Sequence, residues 1–249
     1  HRYIRRQRQM CIRDRLMALP TLSTPTYELT VPSTKKKIKY RPFLVKEEKV
    51  LLLALESEDD KEIANAMKGL IKACVLTKGI DPDELATFDV EYIFLNIRGK
   101  SIGEDIDVKM ICPDDGKTEI TTKIPIDKIK VRFTKGHTNQ IQISDDLWVE
   151  MKYPNIDSLA IQEETVEDTF KLVSKSIKKI YNEEDVWDSS TTTEAEFMTF
   201  IESMNSKQFA KIQEFFTTMP SLKHTVKIIN PNTRVKSEYT IEGLSNFFI

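Results

Sequence analysis

The spacing of apolar residues changes twice along the chain, and these changes limit the possible folds more than any other feature of the sequence. Apolar residues recur every three to four positions between about residues 46 and 99 and again from Ser158, as in amphipathic helices. From 105 to 153 they mostly alternate with polar residues, as in strands that bury one face. Helical clusters and β-hairpins in separate parts of the chain predict an α+β fold.

The first part of the predicted fold, residues 17–157, begins with a hairpin. Strands at Tyr27–Val31 and Lys36–Phe43 are expected to pair across Pro32–Lys35. The third of the helices that follow is apolar on nearly every side, which is typical of a helix buried all round. The three predicted helices lie at about 46–57, 60–77 and 88–99.

A central hairpin region is predicted at about 105–153. Residues alternate on both sides of a PDDGK turn, from Ile106 to Met110 and from Ile120 to Ile124, which indicates a β-hairpin. One or two more strands are expected between Ile141 and Met151.

The second part, residues 158–249, is predicted to hold helices and a C-terminal hairpin, and it can belong to the same domain. An acidic polar loop is expected at Asn182–Thr193, followed by two phenylalanine-rich helices and a hairpin around Asn230–Thr233. Phe247 and Phe248 are expected to dock into a core or a partner, because an apolar terminus is unusual. Apolar residues spaced by four, three, four and three predict one long amphipathic helix before the loop, through Val166, Phe170, Val173, Ile177 and Ile180.

The two parts of the chain contain segments that are weakly similar to each other. Residues 88–124 and 206–241 each combine a helix with a hairpin that has a short turn. The second hairpin lacks the CPDDG of the first, so a duplication is a hypothesis.

Residues 1–16 differ from the rest in charge. Six of the ten arginines lie in HRYIRRQRQMCIRDR, which carries a charge of +5, whereas the whole chain carries −2. Three interpretations are open: a basic arm for nucleic acid or anionic lipid, a targeting segment, and a non-native segment translated from adapter sequence. No apolar stretch follows the arginines, which counts against secretion. We favour the adapter origin and expect the natural chain to begin at Met17.

Nothing in the sequence indicates a disulfide framework or a membrane span. Cys74 falls on an apolar helical face and is expected to be a small core residue. The longest apolar run, Val50–Leu55, has six residues, whereas a membrane helix needs about 20. We therefore expect a soluble protein that matures in a reducing cytoplasm.

No motif for nucleotide binding or nucleophilic catalysis occurs. GxxxxGK[ST], GxGxxG and GxSxG are absent, and the chain has only 7 glycines. His137 and His224 have no nearby Cys or Ser in a known catalytic arrangement. Acidic pairs such as Glu47 and Glu48 are typical of solvated faces. We predict that the protein is not an enzyme and uses no cofactor.

One turn resembles half of a zinc knuckle. Cys112-Pro-Asp-Asp-Gly-Lys117 follows the pattern CPxCGK, with Asp115 at the position of the second thiolate. A structural zinc site needs four ligands, commonly from two such pairs, and the second hairpin has no cysteine at its turn. We favour a metal-free hairpin shaped by its Asp-Gly turn. A degenerate zinc-ribbon-like or nucleic-acid-associated module is the alternative.

Two lysine clusters bear on nucleic-acid binding. Lys35–Lys39 and Lys175–Lys179 have no interleaved aromatic residues, and the chain without residues 1–16 carries a charge of −7. Solvated faces are the favoured interpretation, and no nucleic-acid partner is predicted.

Two blocks of the sequence resemble a baseplate protein family of T-even-like contractile-tailed phages. The first surrounds RPFLVKEEK (Arg41–Lys49) and the second is FDVEYIFLNIRGKSIGE (Phe88–Glu104). The CPDDGK turn and the terminal GLSNFF also fit, and the similarity runs in order from about Met17 to Ile249. In the family that turn often carries both cysteines, so Asp115 is a departure from the pattern.

The resemblance implies a structural or assembly protein of the baseplate hub, with other hub proteins as partners and no catalytic residues. It would act in the host cytoplasm during assembly and in the tail baseplate of the virion. If RPFLVKEEK binds a partner, the helix at 46–57 should leave apolar residues uncovered. The candidate partner-binding residues are Arg41, Pro42, Phe43, Leu51, Leu53, Phe247 and Phe248.

Overall fold

Two hydrophobic clusters organise this computed structural model, which describes residues 22–57, 59–160 and 165–243. The first cluster runs from Val31 to Ile156 and also takes in residues of the C-terminal hairpin, such as Ile228. The second lies between Ile141 and Phe215. The two clusters interleave along the sequence. The division predicted between residues 157 and 158 stays a prediction.

The chain first forms the predicted hairpin. Strands β1 (Tyr27–Thr30) and β2 (Lys37–Tyr40) pair antiparallel, with Tyr27 opposite Tyr40. β2 alternates between exposed lysines and the buried side chains of Ile38 and Tyr40, which enter the first cluster. The alternation therefore sets which face of the hairpin is buried.

The three predicted helices follow and are confirmed. The third of them is buried on nearly every side, as its composition predicts. Gly99 lies where this helix meets Ile126, because a Cβ at that position would be 2.8 Å from Ile126 Cδ1. The helices are α1 (Val45–Glu56), α2 (Asp60–Cys74) and α3 (Thr87–Ser101).

The central hairpin is also confirmed. Strands β3 (Asp105–Ile111) and β4 (Glu119–Pro125) pair antiparallel on either side of the PDDGK turn. Ile106, Val108 and Met110 are buried and alternate with exposed residues. A short strand that the sequence did not indicate, β5 (Lys130–Arg132), follows.

The second cluster is built by a four-stranded antiparallel sheet and three helices. The sheet has the strand order β6-β7-β8-β9, and each of its strands pairs with the next along the chain. Its elements in chain order are β6 (Gln140–Gln142), β7 (Trp148–Met151), α4 (Val166–Ser176), β8 (Ile177–Tyr181), β9 (Val186–Asp188), α5 (Glu194–Glu202) and α6 (Ser206–Thr218).

The last two strands return to the first cluster. β10 (Ser221–Ile229) and β11 (Lys236–Glu242) form the predicted C-terminal hairpin. β10 also pairs with β5, so that the sheet order is β11-β10-β5. The order of helix and then hairpin predicted for 88–124 and for 206–241 is thus present in both places.

The long helix predicted through Ile177 and Ile180 is wrong in its second half. α4 ends at Ser176, and Ile177 begins strand β8 with extended backbone angles. Between Glu150 and Met151 of β7 the register shifts, which leaves Lys178 as an extra residue in β8. This bulge turns both isoleucines towards the core, so a bulged strand produces the three-residue spacing of a helix.

The acidic loop predicted at Asn182–Thr193 is also wrong in part. Val186, Trp187 and Asp188 form β9 and pair with β8. Their side chains are largely exposed at a sheet edge, where no alternation of apolar and polar residues is required. Residues 1–16 and the tail with Phe247 and Phe248 lie outside the described residues.

Three hairpins in the described part of the chain share one turn shape. In each, a residue before a proline accepts a backbone hydrogen bond from the residue four positions later, at 2.8 to 2.9 Å. The donor residue has a positive φ in every case, 57° at Lys35, 63° at Gly116 and 60° at Arg234. Only Gly116 adopts this conformation without a steric cost.

Replacing Arg234 with glycine is expected to raise the free energy of unfolding by about 0.5–1 kcal/mol, because it removes the cost of a left-handed backbone. Arg234 is exposed, so little packing is lost. Urea denaturation of Arg234→Gly against the parent protein measures the gain. Gly116→Ala is the reverse change at the equivalent position and should destabilise, and two effects of the same sign would contradict this account.

Candidate protein-interaction site

The segment Arg41–Phe43 attaches the start of α1 to the core and presents little surface. Pro42 and Phe43 are buried, and the Phe43 N–H donates to Ser101 Oγ at 2.9 Å. The Arg41 N–H donates to the carbonyl of Cys74, at the end of α2, at 3.0 Å. These three predicted residues therefore hold α1 in place.

An ion pair fixes the first turn of α1. Arg41 Nη2 donates to Glu47 Oε1 at 3.0 Å, and Glu47 Oε2 accepts from the Leu44 N–H at 2.5 Å. Burial raises the pKa of Glu47, but the hydrogen bonds from Arg41 and Leu44 outweigh it and hold this pKa below its ordinary value. A charged Glu47 at this end also suits the helix dipole.

The two candidate leucines on α1 lie on different faces. Leu51 is 8% exposed and belongs to the first cluster, whereas Leu53 is 55% exposed. Ala54 is buried beside Leu51, which identifies the inward face. Of the two, only Leu53 is available to a partner.

Leu53 is part of a larger uncovered apolar surface. At 3.6 residues per turn, four exposed side chains lie around the side of α1 that is opposite Leu51. A surface helix normally places polar residues on this side. We call this set the outer face of α1, and it consists of Val45, Val50, Leu52 and Leu53.

Two lysines lie among these apolar side chains. By the same helical repeat, Lys46 and Lys49 flank Leu53, and both are exposed. Glu56, at the end of the helix, is the acidic residue on this side. The outer face of α1 is therefore apolar and mainly basic, which suits an apolar surface with an acidic rim.

The sequence alone did not single out Val45, Val50 and Leu52 as partner-binding residues. A signal for them was present, because a helix of composition VKEEKVLLLALE cannot bury all of its apolar residues against one neighbour. Only the packing of α1 on α2 shows which of them stay outside.

The half-knuckle turn is closed by its own side chains. Cys112 is fully buried and forms no disulfide. Asp115 Oδ1 accepts from the N–H groups of Lys117 and Thr118, each at 3.0 Å. Hydrogen bonds from the Thr118 hydroxyl and these N–H groups hold the pKa of Asp115 well below its ordinary range. Within the described ranges, no group of three or more His, Cys, Asp or Glu side chains is placed to hold a metal ion.

A polar cleft of about 880 Å³ lies near Glu150 and Asp157. Several of its carboxylates are already paired with lysines. Glu150 lies 2.7 Å from Lys178 Nζ and 3.1 Å from Lys179 Nζ, and Lys68 pairs with Asp83 and Asp157. The hydrogen bond from Lys178 keeps the pKa of Glu150 below its ordinary value. Glu150 therefore lacks the raised pKa that a general acid needs.

Among the described residues, no helix is long and apolar enough to cross a membrane.

Fold and surface together define an α+β protein with an uncovered apolar helix face. A family model described as "T4 bacteriophage base plate protein" matches residues 24–249, a range that includes both α1 and the half-knuckle turn. The chain therefore belongs to this family and is a phage baseplate protein. No curated protein and no solved structure matches the chain.

Proposed function

We propose that the protein acts in the baseplate hub, where the outer face of α1 binds another hub protein. The observation that supports this proposal is the uncovered apolar side of α1, which lies within the matched family range. A baseplate is assembled from many proteins, so its members need surfaces for contact more than they need a catalytic pocket.

The outer face of α1 has enough apolar area to contribute to such a contact. Each of its four side chains is half-exposed or more. Removing the exposed part of one of them from water contributes about 1 kcal/mol. Lys46 and Lys49 would then favour a partner with acidic residues around an apolar groove and would select its orientation. The role is structural and non-enzymatic, exercised in the host cytoplasm during assembly and in the virion.

The Leu53→Glu variant tests the contact. It places a charge in the centre of the outer face, so we expect at least a tenfold loss of incorporation into baseplates when the variant replaces the native protein during infection. Baseplates are purified and the protein in them is quantified by mass spectrometry. Far-ultraviolet circular dichroism of the isolated variant establishes that it folds.

Ile111→Glu is the matched control. The side chain of Ile111 is 51% exposed, a fraction similar to the 55% of Leu53, but Ile111 lies on β3 and not on α1. This variant carries the same new charge and should be incorporated as well as the native protein. Normal incorporation of Leu53→Glu, or equal losses for both variants, would contradict the proposed contact.

A photo-crosslinking amino acid at Leu52 distinguishes the hub from other baseplate regions. Cross-links to hub proteins are the expected result, whereas cross-links to peripheral proteins alone would contradict a hub position. The amount of protein in finished particles separates the two hub roles, since a subunit stays in stoichiometric amount and an assembly factor is lost.

A further inference from the structure

The turns of two hairpins that are more than a hundred residues apart lie against each other. Asn230, in the β10–β11 turn, is 1% exposed. Its Nδ2 donates to both Asp114 carboxylate oxygens at 3.0 Å and to Asp115 Oδ2 at 2.9 Å. The Thr233 hydroxyl also donates to Asp114 Oδ2, and Asn232 Nδ2 donates to Thr118 Oγ1 at 2.9 Å. We call Asp114, Asp115, Asn230 and Thr233 the inter-turn clasp.

The two turns are equivalent position by position. Cys112-Pro-Asp-Asp-Gly116 and Asn230-Pro-Asn-Thr-Arg234 both start before a proline and end on a residue with positive φ. The first residue of each accepts from the fifth, at 2.9 Å for Cys112 and 2.8 Å for Asn230. In a two-knuckle zinc site the ligands are the first and fourth residues of two such turns. Cys112, Asp115, Asn230 and Thr233 hold these four positions.

A third turn of the same shape contacts helix α3. Val31-Pro-Ser-Thr-Lys35 has the same hydrogen bond, from the Lys35 N–H to the Val31 carbonyl at 2.9 Å, and the same positive φ. Its Ser33 N–H donates to Asp89 Oδ1 of α3 at 3.0 Å. The turn therefore forms from its own sequence, and only the facing of two turns requires a separate explanation.

We propose that the inter-turn clasp is a metal-free form of a two-knuckle junction, in which hydrogen bonds between a buried amide and two carboxylates replace a tetrahedral ion. The clasp joins β3–β4 to β10–β11 and so fixes the C-terminal hairpin against the first half of the chain. Because the backbone of the junction is retained, three cysteine substitutions convert it into a zinc site. The inter-turn clasp is internal to the chain and is independent of the position of the protein in the baseplate.

The Asn230→Asp variant tests the hydrogen bonds. It keeps the Oδ1 that accepts from the Asn232 N–H at 2.8 Å but places an oxygen against two carboxylates. We expect the midpoint of thermal unfolding to fall by roughly 5–10 °C. Asn205→Asp is the matched control, because Asn205 Oδ1 also accepts from two backbone N–H groups, at the start of α6, and its Nδ2 is not part of the clasp. It should shift the midpoint by no more than about 2 °C.

A second substitution shows whether the loss comes from the clasp. In Asn230→Asp combined with Asp114→Asn, donor and acceptor are exchanged at the Asp114 contact, the Asp115 carboxylate still faces the new one, and the net charge is that of the native protein. We expect this double variant to recover at least half of the loss. Equal shifts for Asn230→Asp and Asn205→Asp, or no recovery in the double variant, would overturn the proposal, and the double variant stays informative if the single variant fails to fold.

The cysteine variant tests the equivalence of positions. Asp115→Cys, Asn230→Cys and Thr233→Cys, combined with the native Cys112, are expected to bind one Zn²⁺ per chain and to give the charge-transfer absorption of tetrahedral thiolate with Co²⁺. Zinc should raise the unfolding midpoint of this variant, and chelator should leave that of the native protein unchanged. Absence of metal binding in the variant, or destabilisation of the native protein by chelator, would overturn the proposal.

Discussion

Replacing Phe94 with alanine is expected to lower the free energy of unfolding by about 3–5 kcal/mol, enough to leave the protein marginally stable. Phe94 is among the largest fully buried side chains and lies in the middle of α3. This helix is surrounded by the first cluster, so few neighbours are free to move into the space that the ring vacates. The cost therefore includes the cavity as well as the lost transfer free energy.

Urea denaturation followed by circular dichroism measures this loss, with Phe133→Ala as the control. Phe133 is half-exposed, and its ring contacts Phe88 at an edge and lies below the Lys35 ammonium group. Its truncation should cost about 1 kcal/mol. Similar losses at the two positions would contradict the central role of α3.

Much of the fold could be predicted where the pattern of one segment determines its structure. α3 is recognisable because apolar residues surround it, and β3–β4 because alternation brackets a turn with Asp-Gly. Both properties are local, so neither needs knowledge of the partner element.

The incorrect predictions for β8 and the missed strand β5 share a physical cause. The structure of both segments depends on pairing with strands that are distant in the sequence. The bulge at Lys178 arises from the register of β8 against β7, and it imitates a helical spacing. β5 has three residues and exists because β10 pairs with it from about ninety positions along the chain. No local pattern of residues 130–132 indicates that pairing.

The contact between the two hairpin turns was partly predictable for the same reason. The half-knuckle turn was recognised from its sequence, but its partner Asn230 was not, because only the fold brings the two turns together. The shared order of helix and hairpin in residues 88–124 and 206–241 was the feature of the sequence that pointed to this contact. It placed equivalent turns in two hairpins, without indicating that they face each other.

Truncation of Leu51 and of Leu53 should have different effects on stability, because Leu51 lies on the core face of α1 and Leu53 on its outer face. Leu51→Ala is expected to cost about 2–4 kcal/mol, because Leu51 packs in the first cluster. Leu53→Ala should change the free energy of unfolding by no more than about 0.5 kcal/mol, since its side chain is largely in water. Both changes replace leucine by alanine inside one helix, so helix propensity is the same and burial accounts for the difference.

The comparison is made by urea denaturation of the two isolated variants, with incorporation into baseplates as the second measurement. A Leu53→Ala protein that is as stable as the native one but is incorporated poorly has lost a contact with a partner, since its own fold is intact. Comparable stability losses for Leu51→Ala and Leu53→Ala would instead place Leu53 in the core and remove the outer face of α1 as a binding surface. The stability of Leu53→Ala thus decides whether any loss of assembly at this helix reports on binding or on folding.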